Sequence, residues 1–181
     1  MHIMWSSNKI KNTIFMSKVR FYVWLVMQTL LLVSCQKDPF HPENKQELIS
    51  VIQLLIDQQG DSANLNCINT DRIADMSFLF ASPYEVDEKQ LDYDFSNFSG
   101  DISGWDVSNV KDMFAMFAGA IKFNEDISTW DVSNVTDISK MFWEAKTFNS
   151  DISSWNVSNL AHWDNCFYLC PIKKQYIPQR I

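Results

Sequence analysis

Three decapeptides written in register limit what this chain can fold into. "DISGWDVSNV" occupies residues 101–110, "DISTWDVSNV" residues 126–135 and "DISSWNVSNL" residues 151–160. The period is 25 residues, and it extends beyond the decapeptide. Phe98, Phe123 and Phe148 align, as do Asp101, Asp126 and Asp151, then Trp105, Trp130 and Trp155, then Asn109, Asn134 and Asn159, then Phe117, Phe142 and Phe167. A fixed period of roughly 20 to 29 residues belongs to solenoids, in which each unit buries its apolar side chains only against its neighbours. An older copy precedes these three: "RIADMSFLF" at 72–80 aligns with "NVKDMFAMF" at 109–117. The gap there is 37 residues, which places an insert of about 12 at "SPYEVDEKQLDY", residues 82–93. With Glu85, Asp87, Glu88 and Asp92 against Lys89, it reads as an exposed acidic loop.

Two periodicities divide the unit. Val135, Ile138, Met141, Phe142 and Ala145 are spaced by three and four, the apolar stripe of a short helix. Thr136 and Asp137 suit the opening turn of such a helix. Upstream, Trp130-Asp131-Val132 alternates as a short strand does, and Ser133 and Asn134 offer side-chain oxygens to backbone N–H groups at the turn. The expected architecture is therefore α/β: a leucine-rich-repeat-like solenoid of short strand–turn–short helix units. Leu48, Ile49, Ile52, Leu55 and Ile56 share one side of a helix expected over 45–58, which caps the first unit.

In such a stack Trp105, Trp130 and Trp155 form a ladder, completed by Phe117, Phe142 and Phe167. Aromatic contacts of this kind contribute about 0.5–1.5 kcal/mol beyond the area they bury. The alternative for the tryptophans is an exposed row that stacks on a ligand. Asp101, Asp126 and Asp151 form a second column, at a spacing of about 4.8 Å. Each either accepts local N–H bonds or shares a calcium ion with the next carboxylate. No Gly-rich calcium loop accompanies them.

Residues 1–34 have the pattern of an export signal: Lys9, Lys11, Lys18 and Arg20, no acidic residue, and an apolar run over 21–33. That run is shorter than the roughly 20 residues a spanning helix needs. "LVSC", 32–35, resembles the lipobox of bacterial lipoproteins, which implies cleavage before Cys35 and acylation of Cys35. "QKD" at 36–38 resembles a short outer-face sorting signal, and Met16 offers an alternative start. Residues 35–44 then serve as a linker, 45–68 as capping helix and lead-in, 69–170 as the repeats and 171–181 as a tail. Beyond the signal the chain holds 11 basic and 22 acidic residues, a net charge of −11. That excludes a phosphate-reading surface for nucleic acid and leaves the membrane to the lipid anchor. Cys67, Cys166 and Cys170 remain: Cys67 reads as a buried small hydrophobe, though a disulfide to the late pair is open, and His162 does not complete a zinc site with them.

"FNEDISTWDVSNVTDISKMFWEA", residues 123–145, resembles the 25-residue repeat of the BspA-like surface proteins, including the lipoprotein-associated domain of unknown function found in Mycoplasma and other bacteria. The likeness extends over about 69–161. The lead-in "ELISVIQLLIDQQGDSANLNCINTDRIADMSFLF" and the terminal "CPIKKQYIPQRI" also resemble family segments, which implies a complete chain. Asn156, Leu160, His162, Trp163 and Cys166 depart from the pattern, all in the last unit, where capping is expected.

No catalytic constellation is present: "HWD" at 162–164 has no nucleophile or oxyanion site in a defined motif, and four glycines supply no phosphate loop or other cofactor site. The expectation is a non-enzymatic, surface-anchored lipoprotein that binds proteins of a host or neighbouring cell, as the BspA-like resemblance implies. A structural envelope lipoprotein with only bacterial partners and a calcium-dependent carbohydrate binder are the alternatives.

Overall fold

A computed structural model describes residues 40–84 and 91–181. Cys35, the signal over 1–34, the start of the linker and residues 85–90 of the acidic insert lie outside the described residues. The first described element is α1, Lys45–Gln59. Asn44 begins it by accepting the N–H of Glu47 at 3.1 Å, while the Glu47 carboxylate accepts the N–H of Glu43, a reciprocal arrangement that satisfies donors the helix leaves open. Gly60 ends it with φ near 81°, a left-handed conformation that glycine takes without penalty. Leu48, Ile49, Ile52 and Leu55 are buried on the face that meets the repeats.

The repeats stack with the expected 25-residue register, but the units are not strand–turn–short helix. Among the described residues α1 is the one α-helix, and the repeat stretch holds neither a helix nor an extended strand. The structure therefore overturns the α/β solenoid expected from the sequence. Isolated parallel bridges link Asp75 to Asp112, Asp112 to Asp137 and Asp137 to His162. Each unit is a rung of consecutive turns. The stretch read as a helix shows why. Met141, Trp143 and Ala145 donate their N–H groups three residues back, to Ile138, Lys140 and Phe142. The alternating residues Ile138, Lys140, Phe142 and Glu144 donate instead to His162, Asp164, Cys166 and Tyr168 of the next rung, at 2.8–2.9 Å. Half the donors are thus committed between rungs, and an i→i−4 ladder cannot form. Overlapping three-residue turns still point every third or fourth side chain inward, so the apolar spacing imitates a helix.

The backbone meets this geometry through residues of positive φ. Phe78, Ala115, Lys140 and Asn165 form one column at φ 51–60°, and Gly119, Glu144 and Leu169 another at 53–68°. The segment read as a strand, 130–132, is the corner between two turns: Trp130 N–H bonds to Ile127 O and Val135 N–H to Val132 O. Side chains rather than a backbone ladder tie this corner to the next rung.

The core is a stack of parallel rings. Phe80, Phe117, Phe142 and Phe167 follow one another at 5.4, 5.5 and 5.8 Å, with planes within 6°. Phe123 and Phe148 run beside them, 4.1 Å from Phe117 and 3.9 Å from Phe142. The insert is not wholly an exposed loop. Ser82 is buried and donates its N–H to Ala118, and Tyr93 packs on the core with its hydroxyl donating to Phe78 O. Tyr84, by contrast, is 85% exposed. Beyond the last rung, the tail returns through a 3-10 turn, Lys174–Tyr176, whose Tyr176 carbonyl accepts the N–H of Ile152.

Candidate functional site

Each group that the repeat pattern singled out has an internal partner. Trp105, Trp130 and Trp155 are buried, and each indole N–H donates to a carbonyl of the preceding rung: Leu65 at 3.0 Å, Ile102 at 3.2 Å and Ile127 at 3.0 Å. Trp130 and Trp155 stack at 6.5 Å, 6° from parallel, whereas Trp105 lies 5.9 Å from Phe80. No face of this row is free for a ligand to stack on. The asparagines work in the same direction. Asn109, Asn134 and Asn159 donate their side-chain amides to Asp71, Ser108 and Ser133 carbonyls at 2.7–2.8 Å. Asn134 is therefore a donor between rungs, not the local acceptor expected at the turn.

The aspartate column is held by local bonds. The N–H of Ser103, Ser128 and Ser153 donates to Asp101, Asp126 and Asp151 at 2.9–3.0 Å, each closing a turn two residues long. Asp131 and Asp137 do the same for Ser133 and Ser139. All three column carboxylates are held below the ordinary range. Burial acts to raise Asp101, but the N–H and hydroxyl of Ser103 outweigh it. At Asp126 and Asp151 the serine two residues on is the main cause, and the Asp126 charge opposes it slightly at Asp151. Asp126 and Asp151 line an open groove with Ser128, Ser150, Ser153 and Ser154. Among the described residues no three His, Cys, Asp or Glu side chains gather as a metal ion would require.

Among the described residues Cys67, Cys166 and Cys170 form no disulfide. Cys166 is buried where Met116 and Met141 stand in earlier rungs, and burial pushes its thiol far above the usual range. Cys170 is half-buried and raised for the same reason. His162 is exposed and takes part through its backbone, in the bridge to Asp137.

The match to known proteins follows this architecture. Residues 52–179 match the family described as Mycoplasma protein of unknown function, DUF285. The chain belongs to the DUF285 family. No curated protein and no solved structure matches it. The DUF285 match begins inside α1 and ends in the tail, so the second half of the cap, the rungs and most of the closing segment fall within one family unit.

What this DUF285 chain leaves partly exposed is a different set of aromatics, which the repeat pattern did not flag because they change from rung to rung. Phe78, Phe114 and Trp143 lie over the small buried cluster Ala81, Ala115 and Ala118, with Leu91 beside them. Phe78 and Phe114 meet at 5.2 Å, Trp143 and Tyr168 at 4.2 Å, and the Lys140 ammonium lies 6.0 Å from Phe114 and 5.7 Å from Trp143. The strip crosses four rungs. The sequence signal for it was available: large apolar residues at positions that would face outward from an inward-pointing Met and Phe. Among the described residues no helix is long and apolar enough to cross a membrane.

Proposed function

We propose that the chain is a surface-anchored bacterial lipoprotein, held by acylated Cys35, whose repeat stack binds proteins of another cell. The observation that carries the binding reading is the outer strip of Phe78, Phe114, Lys140, Trp143 and Tyr168. Aromatic side chains are enriched at protein interfaces, where they give large contact area at little entropic cost. The polar groups of the repeat motif are engaged within the stack, which leaves recognition to such outward faces. The DUF285 description assigns no activity and is compatible with this reading. The anchoring reading rests on the lipobox-like 32–35 alone.

Display on intact cells tests the proposal. The chain is expressed with its own signal and a tag at Ile181, and protease is added outside. Cleavage on intact cells, with release of the chain by Cys35→Ala, is the expected result. Protection until lysis removes the adhesion reading and favours a lipoprotein whose partners lie within the envelope.

A further inference from the structure

The tail does for the last rung much of what each rung does for the one before it. Three sets of bonds show this. Asn134 and Asn159 donate their side-chain amides to the carbonyls of Ser108 and Ser133, and at the next step the Arg180 guanidinium donates to the carbonyl of Ser158. The same guanidinium nitrogen reaches the Val157 carbonyl at 2.8 Å. The N–H of Asn149 donates to the Asn124 side-chain oxygen at 2.7 Å, and the N–H of Lys173 to that of Asn149 at 3.0 Å. Where the stack begins, Leu65 N–H donates to Asp101 O at 2.9 Å; where it closes, Ile152 N–H donates to Tyr176 O at 3.0 Å. Residues 171–181 thus take up one side of a further rung, although their sequence holds none of the repeat motif.

The substitution is incomplete. Trp105, Trp130 and Trp155 send their indole N–H groups to the carbonyls of Leu65, Ile102 and Ile127. Ile152 O, next in that column, receives the backbone N–H of Trp155 from its own rung, and residues 171–181 contain no tryptophan to add. The ring columns are not extended either: among the described residues the phenylalanine stack ends at Phe167 and the indole pair at Trp155. The tail's apolar share is Ile172 and Ile181, partly buried on the core, and a buried Pro178. That suffices to cover the corner. Trp155 has an indole neighbour on one side only, yet it is 5% exposed against 4% for Trp130.

We infer that residues 171–181 form a strap, fastened by Arg180, that opens as a unit ahead of the rungs and uncovers the corner at Trp155. Local opening is easiest where few apolar contacts and few protected bonds hold a segment. An inner rung is held by a neighbour on each side, whereas the strap has the last rung alone. Arg180 is the fastening because it is the strap's one charged donor to the rung, and bonds from charged donors are the stronger kind. Internal turns, from Tyr176 N–H to Lys173 O and from Ile181 N–H to Pro178 O, give the strap a shape of its own. Loss of the clasp therefore frees one piece rather than a few end residues.

The opening has a chemical readout built into it. Lys173 and Lys174 are adjacent and exposed, and they precede the clasp. An open strap can enter the cleft of a trypsin-class protease, which a closed one cannot. Hydrolysis of the bond from Lys174 to Gln175 takes up one water, leaves a carboxylate on Lys174 and an amine on Gln175, and separates Arg180 from the rungs.

Hydrogen exchange of the purified chain, followed residue by residue by NMR, tests the inference. The N–H groups of Ile152 and Lys173 both end on bonds between strap and rung. They should exchange through one common opening, faster than Phe117 and Phe142, which are bonded from rung to rung. Arg180→Ala should speed both by about tenfold or more and leave Phe117 unchanged. Arg180→Lys keeps a cationic donor and should fall between. Under brief trypsin treatment, mass spectrometry should find the fragment that begins at Gln175 released faster from Arg180→Ala by a similar factor, since cleavage follows the open population.

Unchanged exchange of Ile152 in Arg180→Ala would show that the guanidinium fastens nothing. Unrelated rates at Ile152 and Lys173 in the native chain would show that the strap does not move as a unit. Exchange of both only through the opening that also exposes Phe117 would show that it does not precede the rungs. The last two outcomes are read on the native chain and do not depend on how a variant folds. No anchor or partner enters the experiment, so its result and that of the display experiment stand apart.

Discussion

Trp130 lends its indole N–H to the buried carbonyl of Ile102, and that bond explains why phenylalanine does not serve at this position. Phenylalanine would fill much of the space but leave an acceptor in the core without a partner, at about 1–3 kcal/mol. Trp130→Phe should therefore lower the unfolding free energy by that amount, seen as a lower denaturant midpoint at unchanged slope, and a loss of less than a few tenths of a kcal/mol would show that packing alone selects the indole. The aspartates make a second case at this scale. Their folded pKa values are depressed, so their contribution to stability is full above the unfolded value near 4 and is lost as pH falls through the lower folded values. Stability should thus be insensitive to these groups from neutral pH down to about 4, then decline below it. Asn156, which accepts the Ser158 N–H in the last unit with no proton to take up, suggests the control. Asp101→Asn should keep its turn and show a shallower acid decline in the unfolding midpoint, and an unchanged decline would assign the acid sensitivity to other carboxylates.

At the scale of the element, α1 was legible and the rung was not. The helix at Lys45–Gln59 shows one apolar face, a capping Asn44 and a closing Gly60, and each of these signals has a single structural reading. The spacing of Val135, Ile138, Met141, Phe142 and Ala145 has two, because a helix and a run of three-residue turns both return a side chain inward every third or fourth position. The distinguishing sign was nearby: Asp126-Ser128, Asp131-Ser133 and Asp137-Ser139 repeat one turn-closing pair within a dozen or so residues, a density no helix would tolerate. The Trp row and the Phe columns were readable as a register, but not the direction of the Trp and Asn bonds, which depends on the carbonyls of a neighbouring rung. The glycines of the first copy were equally silent. Gly100 and Gly104 stand where later units have Glu125 and Thr129, because the lead-in passes close by. A Cβ on Gly100 would lie 2.0 Å from the Ala63 carbonyl oxygen. The positive-φ columns supply the test at this scale. Glu144→Val, a β-branched residue at φ 53°, should cost about 1–2 kcal/mol in chemical unfolding, while Glu144→Gly, matching Gly119 one rung earlier, should be neutral or mildly stabilising. Equal stability of the two variants would mean that the rung relaxes its backbone there.

For the whole molecule, contacts between rungs repeat with the 25-residue period, so stability should behave as a sum of rung and junction contributions. Removing one full period, residues 112–136, brings Asp137 into the place of Asp112 and preserves every column. That shortened chain should fold, with a lower midpoint and a smaller unfolding slope because less surface is exposed. Removing 23 residues from the same stretch should give no cooperative transition by circular dichroism, since every inward side chain is displaced; a cooperative melt would show that the rungs tolerate slippage.

The one-way run of N–H groups from each rung to the next gives the molecule a consequence for inheritance. The α1 cap fits only the first rung and the returning tail only the last, so a gene of this kind can change length without redesign only between them. Recombination between neighbouring copies adds or removes whole units there. Each event shifts the last rung by about 4.8 Å along the stack, which lets a lineage adjust the distance between the two ends without altering the chemistry of either.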